Sequence, residues 1–198
     1  MKRLLAAMTA ALMVLALAGT ALAAPPPTAP GQNKLQCFAD APATCTQPTK
    51  GAKGSAILDT TLGGDAGVYV LNSNINLYAG QQTPLSAISM LSFNYTGIAT
   101  NGSPRISLPL DTNGDGVTDA WAYISAYWCN NGSGLVDPIN NPNCQIFVSG
   151  NINAYVGWAA LVAAYPTATV PFDNYVFIIA DDPGLWTVSN VKLGKPGK

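Results

Sequence analysis

Short apolar and β-branched runs alternate along the chain with clusters of Gly, Pro, Asn and Asp. Strand-forming segments separated by turn-forming segments are typical of an antiparallel sandwich. We therefore predict an all-β fold, an antiparallel β-sandwich with one short helix. The predicted strands cover residues 56–59, 68–71, 88–95, 105–110, 120–128, 145–149, 175–180 and 186–193.

One segment of the C-terminal half follows a helical period instead. Its apolar residues are spaced i, i+3, i+4 and i+7, which puts them on one stripe of a helix that can pack against a sheet. These residues are Trp158, Leu161, Val162 and Tyr165. Pro166 follows them and predicts the end of the helix.

The start of the chain differs from this strand-rich body. It combines basic residues, an apolar run and a small-residue cleavage pattern, which predicts a secretory signal peptide over residues 1–23. The competing interpretation is a membrane anchor, but the apolar run is short and ends in the cleavage pattern. We therefore expect a secreted, extracellular protein that has no membrane attachment once the leader is removed.

The remaining chain divides into three parts by composition. Residues 24–36 are Pro-rich and polar, and they predict a flexible arm. Residues 37–193 contain the predicted strands and form the sandwich domain. Residues 194–198 carry Gly, Pro and Lys only and predict a short tail.

Charged residues are scarce, and two titratable residue types are missing. The chain has 10% charged residues, a net charge of −1, no His and no Glu. Without histidine there is no imidazole general base, no histidine-based catalytic triad and no histidine metal ligand. The acidic balance increases when Lys2 and Arg3 leave with the leader, so we expect no nucleic-acid partner.

The chain contains four cysteines, all of which follow the leader. They are Cys37, Cys45, Cys129 and Cys144. An even number of cysteines in an exported chain predicts disulfides. Proximity in sequence favours pairing the first two and the last two, among three pairings that remain open. A four-cysteine zinc site is the alternative, although such sites use shorter spacings.

The strongest local signal is the nine-residue segment 111–119. It has oxygen-bearing side chains at positions 1, 3, 5 and 9 and glycine at position 6, which predicts a calcium-binding loop. Strand-like flanks place this loop at the tip of a β-hairpin. The predicted ligands are Asp111, Asn113, Asp115, the carbonyl of Val117, and Asp119. The alternative is a polar hairpin turn that binds no metal.

The predicted strand 120–128 has a mainly small apolar face and a face of rings with one hydroxyl. The first face comprises Ala120, Ala122, Ile124, Ala126 and Trp128, and the second Trp121, Tyr123, Ser125 and Tyr127. If the small face is in the core, the rings form an outer row on which a sugar ring can stack. In the alternative arrangement the rings lie in the core, and the helix or a second sheet covers the small face.

An Asn-rich loop follows this strand and supplies uncharged donors and acceptors that suit a polyol. The alternative is ordinary turn chemistry. The predicted glycan site comprises Trp121, Tyr123, Tyr127, Asn130 and Asn131.

Two other classes of function remain open. Catalysis would have to use a pair of aspartates, as in some glycosidases. The candidates outside the calcium loop are Asp137, Asp173, Asp181 and Asp182. The last two lie in an Asp-Asp-Pro-Gly turn, so we expect no enzyme. The other class is a cell-surface or filament subunit that self-associates, with the arm adding a strand to a neighbour's edge.

The leader, the short strands, the aspartate loop and the closing segment Trp186–Leu193 together resemble secreted bacterial jelly-roll domains of the carbohydrate-binding-module kind. The loop itself resembles those of dockerins and thrombospondin type 3 repeats over nine residues. It differs from an EF-hand because Ala122 stands where a bidentate Glu would be. The resemblance implies a jelly-roll-like sandwich, calcium as cofactor, and a polysaccharide or surface glycan as partner.

Overall fold

The computed structural model describes residues 34–47, 54–71, 82–100, 102–129, 134–171 and 173–194. Two short helices lie among them, α1 (Ala126–Cys129) and α2 (Trp158–Ala164). The strands are β1 (Lys34–Ala39), β2 (Thr44–Thr46), β3 (Ala56–Asp59), β4 (Ala66–Leu71), β5 (Thr83–Pro84), β6 (Met90–Thr96), β7 (Arg105–Leu110), β8 (Ala120–Ser125), β9 (Leu135–Val136), β10 (Gln145–Val148), β11 (Tyr155–Val156), β12 (Thr169–Val170), β13 (Phe177–Ala180) and β14 (Leu185–Gly194).

The strands form an antiparallel β-sandwich, as predicted. The large sheet has the order β1-β4-β13-β7-β8-β10-β11, and the small sheet has the order β2-β3-β14-β6-β9. A third pair joins β5 and β12. The chain passes repeatedly from one sheet to the other, for example from β3 to β4 and from β13 to β14, which gives a jelly-roll-like path.

Strand register places one face of each sheet in a common core. In the large sheet, one row runs across four neighbouring strands and is fully buried. Its members are Val68, Ile178, Ile106 and Ile124. In the small sheet, Trp186 pairs with Leu58, and both are buried. Because side chains alternate along a strand, the neighbours of these residues lie on the outer faces.

Most predicted strands are confirmed, and β3 and β7 have the predicted bounds. The predicted strand 120–128 was too long, because β8 ends at Ser125 and the chain turns into α1. The Ser125 hydroxyl accepts a hydrogen bond from the Tyr127 amide at 3.1 Å, which is the bond of a helix N-cap residue. Tyr127 therefore lies on a helical turn.

The predicted helix is confirmed as α2, with Trp158 and Leu161 buried in the core. Its last turn closes through a hydrogen bond from the Tyr165 amide to the Leu161 carbonyl at 3.0 Å. Pro166 follows directly, where the sequence predicted the helix to end.

Both disulfides favoured by sequence proximity are confirmed. Cys37 in β1 is bonded to Cys45 in β2, so this bridge links the large sheet to the small sheet. Cys129 at the end of α1 is bonded to Cys144, which directly precedes β10. A four-cysteine zinc site is thereby excluded.

The sandwich extends beyond the predicted domain bounds at both ends. β1 starts at Lys34, inside the predicted arm, because Lys34 pairs with Leu71 of β4. β14 runs to Gly194, which pairs with Met90. The predicted signal peptide, the rest of the predicted arm and residues 195–198 lie outside the described residues. No helix among the described residues is long and apolar enough to span a bilayer.

Candidate functional site

The outer face of the large sheet carries a group of aromatic side chains, which we call the aromatic face. Its members are Phe38, Tyr69, Trp121, Tyr123, Phe147 and Phe177. Each ring is half-buried, and each is next in sequence to a residue that belongs to the core cluster or, as Cys37 does beside Phe38, packs against it. Tyr123, for example, lies between Ala122 and Ile124, which are both fully buried. The rings therefore point away from the core.

The rings of the aromatic face contact one another across strands. The Phe38 and Tyr69 centroids are 4.5 Å apart, and the Tyr69 and Phe177 centroids are 6.1 Å apart. Phe177 also contacts Trp121, at 5.2 Å between centroids. These separations are typical of aromatic pairs, so the rings form a continuous band from β1 to β8.

Of the two arrangements considered for the strand after the loop 111–119, the structure has the small face in the core and Trp121 and Tyr123 outside. Tyr127 is not in that row. It lies on α1, is 48% exposed and contacts Trp128, with ring centroids 4.9 Å apart. Asn130 and Asn131 lie outside the described residues.

Sequence reasoning missed the other rings of the band. Tyr69 lies between Val68 and Val70, and Phe147 between Ile146 and Val148. Both triplets show the alternation that identified Trp121 and Tyr123, with small or branched residues flanking a ring, and this signal could have found them.

A cavity of about 260 Å³ opens at one end of the aromatic face. We call it the Arg105 cavity. Its lining residues are Gly102, Arg105, Tyr123, Ser125, Trp128 and Phe147. The Arg105 guanidinium lies over the Tyr123 ring, 5.4 Å from its centroid, in a cation–π contact.

A network of hydrogen bonds and a salt bridge holds the Arg105 side chain in place. Its guanidinium forms a salt bridge with Asp181, and the Ser103 hydroxyl donates to the same carboxylate oxygen at 2.9 Å. Burial opposes ionisation of Asp181, but the hydrogen bond and charge of Arg105 outweigh it and hold the pKa of this carboxyl below its usual range. Asp181 is therefore an anion at neutral pH and a poor proton donor.

The other candidate catalytic aspartates also accept hydrogen bonds from nearby residues. Asp182 accepts from the Gly102 amide at 2.9 Å and from the Thr100 hydroxyl at 2.8 Å. Asp173 accepts from the Thr118 amide at 2.9 Å and its hydroxyl at 2.7 Å. Asp137 accepts from the Asn140 side-chain amide at 2.8 Å. These bonds join or tighten loops, as expected of turn aspartates.

The predicted calcium loop does form the tip of the β7–β8 hairpin. Its base closes where the Asp119 amide donates to the Leu110 carbonyl at 2.8 Å. The buried Asp111 carboxylate accepts from the amides of Gly114 at 2.6 Å and Gly116 at 2.9 Å. Both glycines have positive φ, which turns their amides towards Asp111. Burial raises the pKa of Asp111, but these amides outweigh that effect and lower it overall.

The other carboxylates of the loop approach one amide. Asn113 Nδ2 lies 3.2 Å from Asp115 Oδ2 and 3.1 Å from Asp119 Oδ1. The second oxygen of Asp119 accepts from the Thr112 amide at 2.7 Å. Within the described ranges, no three acidic or cysteine side chains are grouped so that they could hold a metal ion.

No protein-family model, curated protein or solved structure matches this chain. Its function has therefore to be inferred from the fold and from the geometry of these two regions.

Proposed function

We propose that this protein is a secreted, non-catalytic β-sandwich that binds a polysaccharide or a surface glycan on the aromatic face. The observation that carries this proposal is the continuous band of rings on the outer face of the large sheet. The apolar C–H face of a pyranose stacks on such rings, while nearby polar groups bind its hydroxyls.

The size of the band suits a chain better than a single small molecule. Its contacting rings belong to β1, β4, β13 and β8, with β7 between β13 and β8. Five neighbouring strands extend over about 19 Å, since adjacent strands lie about 4.8 Å apart. A surface of that length accommodates several linked sugar rings.

The rings are not needed to complete the core. The row Val68, Ile178, Ile106 and Ile124 already fills the inner face of the same strands. Contiguous apolar surface on the outside of a protein marks an interaction site more often than a packing requirement. Binding is therefore a better reason than stability for aromatic residues at these outer positions.

Calcium is proposed to stabilise the loop 111–119. Asp115 and Asp119 each place a carboxylate oxygen within hydrogen-bond distance of Asn113 Nδ2. A cation bound between these two carboxylates would interact with both and replace the Asn113 amide that they now share. The ligands would be Asp111, Asn113, Asp115, the Val117 carbonyl and Asp119, all oxygen donors that suit Ca²⁺. The bound ion would neutralise three like charges at the hairpin tip.

Export is proposed on two grounds. The leader predicts secretion, and the two disulfides are typical of proteins that mature in an oxidising compartment. The polysaccharide or glycan would then be met outside the cell.

The test is a pull-down of the leaderless protein on insoluble cellulose, chitin, xylan, mannan and β-1,3-glucan, with an assay for released sugar. We expect binding to at least one polymer without release. Trp121→Ala should weaken that binding at least tenfold. The matched control is Leu185→Ala, which removes an exposed apolar side chain from the small sheet. Unchanged binding by Trp121→Ala would contradict the proposed site, and sugar release would contradict the non-catalytic assignment.

A further inference from the structure

We propose that the Arg105 cavity is a subsite for one neutral pyranose at the end of a glycan chain. This inference rests on the proposed glycan binding and names the part of the glycan that the cavity recognises. The protein would then bind chain ends in this cavity and chain interiors on the aromatic face.

The size of the cavity favours a ligand of a single ring. Its volume is about 260 Å³. Pockets for drug-sized ligands have about 300–1,000 Å³, so the volume of this cavity suits one sugar ring better than two linked rings. Three of the six described residues that line it are aromatic, which favours a ligand with an apolar face.

The ring orientations distinguish this site, which is open to solvent on its outer side, from the flat band. Tyr123 and Phe147 are paired neighbours on β8 and β10 and form the floor. The Trp128 ring stands at 62° to Phe147, with centroids 6.0 Å apart, and forms a wall. A chain that lies over Tyr123 and Phe147 meets this wall on one side, so we expect the site to hold the end of a chain.

The wall is held in place before any ligand binds. Tyr127 packs edge-on against Trp128 at an interplanar angle of 83°. The next residue, Cys129, is bonded to Cys144 at the start of β10. The helical turn that carries Trp128 is thereby tied to the strand that carries Phe147. Binding to such a preformed site loses little conformational entropy.

The charges on the Arg105 side of the cavity favour a neutral ligand. Asp181 compensates the charge of Arg105 through their salt bridge. The carboxylate of Asp182 also lies close to Arg105, because both groups adjoin Gly102. A Cβ placed on Gly102 would be 3.1 Å from Asp182 Oδ2 and 3.3 Å from Arg105 Nη1. Two carboxylates near one guanidinium leave the surroundings of Arg105 net negative, although neither carboxylate lines the cavity itself. This charge disfavours a uronate or another acidic sugar.

The experiment compares two forms of whichever polymer the protein binds. Equal masses of intact polymer and of polymer shortened by limited endo-hydrolysis are titrated, since the second has many more chain ends. We expect the shortened form to bind at least five times more protein per gram. Trp128→Ala should remove this gain, whereas Trp128→Phe, which keeps a ring, should retain part of it.

A second pair of probes tests the charge. Galacturonate oligosaccharides and their methyl esters have the same rings, but only the esters are neutral. We expect the esters to bind at least tenfold more tightly.

The outcomes separate the two proposals. Equal binding of intact and shortened polymer, unaffected by Trp128→Ala, would overturn the end subsite and leave binding on the aromatic face standing. Tighter binding of the free acid would overturn the neutral-ligand assignment. Failure to bind any polymer in either form would overturn the proposed function and the subsite with it.

Discussion

The outer face of each sheet consists of alternate residues along its strands, but the side chains on the two outer faces differ in chemistry. On the large sheet, a row of paired residues includes Tyr69, Phe177 and Tyr123. On the small sheet, the corresponding surface has a row of Thr46, Ile57, Thr187 and Thr96. Aromatic and β-branched residues both favour strands, so strand formation does not account for the difference. Under the proposed function, this contrast corresponds to one face that binds a glycan and one that does not.

The difference lies in what each face offers to a solute. Threonine hydroxyls are well hydrated, and the large exposed apolar side chains of this face are aliphatic, so it offers no flat aromatic surface for stacking. They are Ile57, Met90, Leu135 and Leu185. Half-buried rings in contact with one another give such a surface. We therefore expect the aromatic face to bind glycans and the threonine face to remain inert.

The largest expected effect separates stability from binding within one strand. Ile106 of β7 points into the core and is 2% exposed. Ile106→Ala should lower the free energy of unfolding by about 2–5 kcal/mol, as is usual for a buried Ile, and leave the outer face chemically unchanged. Denaturant titration measures the loss. A change below 0.5 kcal/mol would contradict the assignment of inner and outer faces.

Double substitution on each face tests the comparison directly. Trp121→Ala with Tyr123→Ala should weaken glycan binding by about a hundredfold, which corresponds to about 2.7 kcal/mol. Thr96→Ala with Thr187→Ala, the matched control on the small sheet, should leave affinity within twofold. Isothermal titration with a soluble form of the bound polymer gives both values. Equal losses on the two faces would remove the distinction.

Calcium should act on the hairpin that carries Trp121 and Tyr123. Addition of 10 mM calcium should raise the Tm by about 5 °C, given the affinities of about 10⁻⁴–10⁻³ M common in extracellular modules. Chelator should reverse the shift, and Asp119→Asn should abolish it. The readout is a thermal melt followed by circular dichroism. An unchanged Tm in the wild-type protein would show that the loop is a metal-free turn.

The Asp111 carboxylate should make this hairpin sensitive to acid. Its pKa is lowered in the folded state, so it stabilises the fold above the unfolded pKa of about 3.9, and this contribution is lost as pH falls through the folded value. Asp111→Asn should therefore lower the Tm at pH 7, and the difference from wild type should shrink towards pH 3. Parallel melts at the two pH values measure it. A difference that does not depend on pH would argue against an ionised Asp111.

The smallest expected effect concerns a polar residue beneath the rings. Ser107 is paired with both Phe177 and Tyr123, is 1% exposed, and its hydroxyl has no hydrogen-bond partner among the described residues. Because an unsatisfied buried hydroxyl is costly, Ser107→Ala should raise the free energy of unfolding by about 1 kcal/mol. Marked destabilisation would mean that the hydroxyl has a partner.

Short sequence patterns correctly predicted those features that depend on residues close together in sequence. The bounds of β7 follow from the Pro104 and Asp111 turns that flank it, and both disulfides follow from short spacing. The end of β8 could not be predicted, since the Ser125 N-cap interrupts a sequence whose alternation continues. Predicting the aromatic face also required the strand order, in which β13 lies between β4 and β7. Phe177 gave no signal, because it lies within the continuous apolar run 175–180.

The bridge between Cys37 and Cys45 has a mechanical consequence. β1 is the last strand at one edge of the large sheet, and an edge strand pulled from its end is removed one residue at a time. A force applied before Lys34 could detach only Lys34, Leu35 and Gln36 before it reached the bridge. At the bridge the force is transmitted to both sheets. A protein attached through its N-terminal side and bound to a polymer would therefore resist tension with both sheets together.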